Sequence, residues 1–80
     1  MKKYNNIKEF LKEEQTNAIR LTFRQIEIIL GGPLPNSARE HQAWWANDKS
    51  HSHAASWMKI GWKTATPALS KGTILFQRLK

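Results

Sequence analysis

The stretch Trp62-Lys63-Thr64-Ala65-Thr66-Pro67-Ala68-Leu69-Ser70-Lys71-Gly72-Thr73-Ile74-Leu75-Phe76-Gln77-Arg78-Leu79 decides the reading of the fold. Ser70-Lys71-Gly72 is a turn cluster, and the runs on either side, 62–69 and 73–79, read as the two strands of a hairpin. Ile74 and Phe76 alternate with Leu75 and Gln77, so Ile74 and Phe76 form the inward face. Leu75 is ambiguous. Pro67 cannot donate to a ladder, so the first strand belongs at a sheet edge or is bulged there. A hairpin of two strands is marginal in water, so a third strand is expected. Arg20-Leu21-Thr22 is the short extended stretch that can supply it.

Working outward, the rest of the chain reads as helices. Over residues 5–15, Ile7, Phe10, Leu11 and Glu14 recur at helical spacing. Lys8, Glu9, Lys12 and Glu13 make a mixed-charge outer face. Thr22 opens T-x-x-Q with Gln25, a capping box, and Phe23, Ile26, Ile29 and Leu30 follow as a buried stripe. Gly31-Gly32-Pro33 ends that helix. After Leu34-Pro35, Asn36 or Ser37 can cap a short helix running toward residue 43. Trp44 and Trp45 are adjacent and cannot share a face, so one is expected to be buried and the other at least partly exposed. Ser50 is the expected N-cap of a helix over 51–60, with Ala54, Trp57 and Met58 inward and Gly61 as its stop.

The order is helix, strand, helix, short helix, helix, hairpin. The expected fold is therefore α+β and winged helix-turn-helix-like, with three to four helices and a three-stranded antiparallel sheet built from strand 20–22 and hairpin 62–79. Residues 1–80 form a single domain in this reading. The recognition helix of such a fold is either 36–43 or 51–60, and 51–60 is preferred. Its first residues are of the kinds that reach phosphates and base edges, and a helix start favours anions.

Size and charge narrow the function. Eighty residues bury only about 60% of the surface of the unfolded chain. With no cysteine, neither a disulfide nor a thiolate zinc site can help, and the four Trp must supply much of the core. The net charge is +7. Residues 1–40 hold seven basic and five acidic residues; residues 41–80 hold six basic and one acidic, with all three His. Such a balance favours an anionic partner, nucleic acid first, and argues against a mimic of DNA. No run approaches the roughly 20 apolar residues of a membrane span, and the first residues turn acidic where a signal peptide is apolar, so a cytoplasmic chain is expected.

The series Leu21-Thr22-Phe23, Ile26, Leu30-Gly31, Leu34-Pro35, Ser37-Ala38-Arg39, Trp44-Trp45-Ala46-Asn47-Asp48, Ser50-His51-Ser52, Ala54, Trp57, Gly61-Trp62 and Phe76 resembles an uncharacterised family of small domains found in bacteria and their mobile elements. The resemblance covers about residues 20–78 and leaves the first helix outside. It implies family membership and carries no established activity.

The densest polar, aromatic and basic region runs from Ser37 to His53. Arg39 and Lys49 are expected to hold phosphates, and Asn47, Ser52 or His51 to contact a base; Ser50, His53 and Ser56 share that surface. Lys63 and Lys71 would form a basic wing along the backbone of the duplex. The expected partner is double-stranded DNA, and a homodimer fits so small a footprint. No membrane, small-molecule substrate or cofactor is expected. His51-x-His53 points its rings about 200° apart on a helix, which disfavours a shared metal. Asp48 is the only acid after Glu40. A paired-carboxylate or two-metal centre therefore cannot be assembled there, and no enzyme is expected. The expected role is a small regulator or accessory factor. The rival reading is a protein-interaction module that grips an acidic partner through Trp44 or Trp45 and the basic face.

Overall fold

The computed structural model describes residues 5–48, 50–65 and 67–79. It is α+β, with helices α1 (Asn5–Lys12), α2 (Phe23–Leu30), α3 (Asn36–Glu40) and α4 (Ser52–Met58) and strands β1 (Ala18–Thr22), β2 (Trp62–Thr64) and β3 (Thr73–Arg78). The three strands form one antiparallel sheet in the order β1-β3-β2. The extended stretch at 20–22 is thus the third strand, lengthened at its start because Ala18 and Ile19 also pair, with Gln77 and Phe76.

The inner face of the sheet carries Leu21, Trp62, Thr64, Ile74 and Phe76, all buried. Against it sit Ile7 and Leu11 of α1, Phe23, Ile26 and Leu30 of α2, and Ala54 and Trp57 of α4, with Leu34, Ala38 and Trp45 from the connection. The aromatic residues form a chain through this core. Phe23 stacks on Trp45 at 6.0 Å, Trp45 on Trp57 at 6.2 Å, and Trp57 meets Phe76 edge-on at 5.4 Å. Of the adjacent pair, Trp45 is 2% exposed. Trp44 is half-buried, so the alternation argument holds.

Local chemistry explains most boundaries. The Thr22 hydroxyl accepts from the Gln25 N–H at 3.0 Å, and the Gln25 side-chain Oε1 accepts from the Thr22 N–H at 2.8 Å, closing the capping box of α2. Gly31 ends α2 at φ 81°, where a β-carbon is disfavoured.

Other boundaries differ from expectation. α1 stops at Lys12 rather than near 15, because the Glu14 carboxylate turns to accept from the Thr16 hydroxyl at 2.6 Å. Two acids at a helix C-terminus also oppose its dipole. Phe10, at helical spacing from the buried Ile7, is only half-buried at the margin of the core. β2 is cut to three residues, since Pro67 blocks the ladder. Ala68 still bridges to Thr73, and Leu69–Lys71 make a 3-10 turn closed by Gly72 at φ 67°. Neither Asn36 nor Ser37 caps α3, which starts directly after Pro35 with no side-chain cap. Ser50 does not cap α4. Its N–H donates to Asp48 Oδ1 at 2.9 Å in a turn, and His51 stands at the N-cap position with no capping bond.

Candidate nucleic-acid interface

The residues expected to touch DNA separate into three groups. The first group is committed to holding the fold together. Asn47 follows the 3-10 turn Gln42–Trp45 and reaches across to β2. Its Nδ2 donates to the Thr64 carbonyl at 2.9 Å, and its Oδ1 accepts from the Thr64 N–H at 2.9 Å. The same oxygen accepts from Trp57 Nε1 at 3.2 Å. The side chain therefore acts as a short substitute strand on the outer edge of β2, so a base contact would require it to leave these bonds. Thr64, buried, completes the join by donating its hydroxyl to the Trp45 carbonyl at 2.5 Å.

Arg39 is also committed. Its guanidinium pairs with the Glu27 carboxylate and lies over the Phe23 ring at 5.4 Å. Glu27 accepts as well from the Leu34 N–H at 2.9 Å. That backbone bond, and then Arg39, hold its carboxyl below the ordinary value. Arg39 thus has an acidic partner within the protein, so a phosphate would have to compete with Glu27 for it.

The second group lies around the start of α4. His53 stacks on Trp44 at 3.8 Å with planes 3° apart, and its Nε2 is 2.7 Å from the Trp44 carbonyl. A carbonyl only accepts, so Nε2 carries the proton there. Burial pushes the His53 pKa down; the Trp44 carbonyl opposes this and the nearby His51 charge adds to it. His51 is exposed, 3.9 Å from Asp48 and 5.5 Å, ring to ring, from His53. Ser52 is exposed. The half-buried Ser56 donates its hydroxyl to the Ser52 carbonyl at 3.1 Å. With Ala55 and Lys59, these serines give α4 an outer face of small side chains ending in a cation. Lys49 lies outside the described residues.

The third group is the sheet. Lys63 points outward between buried Trp62 and Thr64, and Lys71 is exposed in the turn before Gly72. Neither has an ion-pair partner among the described residues. Arg20, not among the residues expected from sequence, is also exposed, with no ion-pair partner among the described residues, opposite Leu75 on the same outward face. Strand alternation was the signal that could have found it, since Leu21 beside it is buried. Residues 18–22 and 62–79 contain Arg20, Lys63, Lys71 and Arg78 and no acid. Arg78 is engaged, stacked over Trp62 at 4.8 Å and donating to the Glu14 carbonyl.

A family model described as a domain of unknown function, DUF7662, matches residues 4–78. The chain belongs to this family. The DUF7662 match begins ahead of α1, so the first helix is part of the shared domain and not an addition to it, which corrects the narrower span read from the motif. No curated protein and no solved structure matches the chain. Among the described residues no helix is long and apolar enough to cross a membrane.

Proposed function

We propose that this DUF7662 domain binds double-stranded DNA as a winged-helix-type module, with α4 as the helix presented to the groove and the β2–β3 hairpin as the wing. The observation that carries the reading is the pairing of topology with charge. The helix–strand–helix–helix–helix–strand–strand order with a β1-β3-β2 sheet supports a winged-helix reading in which one short helix is added between β1 and β2. Its hairpin bears the cations Lys63 and Lys71, which have no ion-pair partner among the described residues, and residues 62–79 contain no acid. Small residues on the outer face of α4 let a duplex approach closely, and Ser52 and His51 are the groups there that reach base edges. The resemblance to domains of mobile elements fits a role as a small regulator or accessory factor.

Trp45 is buried and Trp44 is stacked on His53, so the rival protein-gripping surface reduces to the half-buried edge of Trp44 and is the weaker reading. The test is titration of labelled duplex DNA at several salt concentrations. The expected result is a steep linear fall of log K with log salt. A flat dependence, with an acidic protein retained from nuclease-treated extract, would replace DNA with that partner.

A further inference from the structure

The outward face of the sheet carries a groove of about 270 Å³ lined by Arg20, Ala65, Ala68, Lys71, Thr73 and Leu75. Arg20 comes from β1 and Lys71 from the turn before β3, so two separate parts of the chain bring their cations to one depression. Both side chains are exposed, and neither has an acidic partner among the described residues. The Thr73 hydroxyl, a donor in the lining, is used in no hydrogen bond among the described residues. A third cation extends the same face. Lys63 is opposite Gln77 and Arg20 opposite Leu75, so they flank β3 two residues apart, roughly 12 Å between Cα atoms in a regular sheet.

The face is also defined by what it presents elsewhere. The outward residues of the strands are Ala18, Arg20, Thr22, Lys63, Thr73, Leu75 and Gln77, with no aromatic ring among them. Unpaired bases are held chiefly by stacking on aromatic side chains. A face with cations and a hydroxyl but no ring fits a backbone whose bases are already stacked inside a duplex. This selects duplex DNA over a single strand.

We propose that Arg20, Lys71 and Thr73 form a phosphate-binding site for the backbone of duplex DNA on the outer face of the sheet, with Lys63 at a neighbouring phosphate. The site rests on the DNA-binding reading but not on α4. It makes Arg20 of β1 a DNA-contacting residue and turns the wing from a lone hairpin tip into one side of a cationic sheet.

The experiment measures anisotropy of a labelled duplex across a salt series, for the wild type and for Arg20→Gln, Lys71→Gln, the double variant, Arg20→Lys and Lys12→Gln. Circular dichroism and thermal melting check folding. Lys12 is paired with Glu9 at 3.7 Å on the far helix and serves as the control. Each glutamine in the site should reduce the salt slope by about 0.9 and the double variant by about twice that, while Arg20→Lys keeps the wild-type slope. Slopes equal to that of Lys12→Gln would overturn the site and leave DNA binding standing. No duplex binding by the wild type at low salt would overturn both. Tighter binding to a single strand of equal length, or to anionic vesicles, lost in the double variant, would overturn the commitment to duplex.

Discussion

Asn47 is a small polar residue in a turn, and its type alone fits either a base contact or a structural clamp. The geometry gives it a clamp's bonds: both ends of its amide hold the backbone of Thr64, and the oxygen also takes the Trp57 N–H. Nothing in the spacing of Asn47 and Thr64, seventeen residues apart, foretells this, because the contact exists only once β2 is in the sheet. Asn47→Ala leaves three polar groups to find water in a half-buried joint. The expected cost is about 2 kcal/mol, a fall in Tm on the order of 10 °C for a domain of this size. Asn47→Asp keeps the acceptor but opposes an anion to the Thr64 carbonyl, and should also destabilise. A melt of Asn47→Ala at the wild-type temperature, with weakened discrimination between DNA sequences, would restore the base-reading role.

His53 gives a second test at this scale. Burial holds its pKa below the ordinary histidine value of 6.5. The folded state therefore takes up a proton less readily than the unfolded chain, and protonation favours unfolding. Its contribution is intact above about pH 7 and is lost as pH falls through 6.5 toward the lowered folded value. Thermal melts at pH 7.5 and 5.5 should show a lower Tm at pH 5.5, and His53→Gln should flatten that difference. An unchanged slope in the variant would place the pH response elsewhere.

At the scale of elements, what could be read in advance is what local chemistry determines. The T-x-x-Q box and the glycine after Leu30 set both ends of α2 within a few residues, and both are present. Thr22→Ala should lower stability by about 1 kcal/mol, and Thr22→Ser should retain most of it; urea titration of the three proteins checks the order. The Trp44/Trp45 split and the inward pair Ile74 and Phe76 were legible for the same reason, since alternation is a property of the backbone. The start of α4 was not. Ser50 has the composition of a cap, but it sits in a turn with its N–H on Asp48, and the helix starts at Ser52. The candidate site divides in the same way. The exposure of Lys63 and Lys71 follows from strand and turn, whereas the ion pair of Arg39 depends on Glu27, twelve residues away on another helix.

For the whole molecule, a core this small concentrates stability in a few large side chains. Trp57 is the one that joins the layers. It stacks against Trp45 on one side, meets Phe76 of the central strand edge-on, and donates its Nε1–H to Asn47. Trp57→Ala removes all three contacts and opens a cavity between α4 and the sheet, at a cost of about 3–5 kcal/mol. A chain of eighty residues has only about 4–12 kcal/mol in total. The variant should therefore be largely unfolded at 37 °C, or melt far below the wild type. Trp57→Phe separates packing from hydrogen bonding. It keeps an aromatic edge for Phe76 but loses the N–H, so it should remain folded with a loss of about 1–2 kcal/mol. That loss should shrink when Asn47 is already alanine, because the partner is then absent. A double-mutant cycle on Trp57→Phe and Asn47→Ala measures the coupling. Strictly additive losses would mean that the indole N–H and the Asn47 amide do not act together, and that the joint between α4 and the sheet is held by ring packing alone.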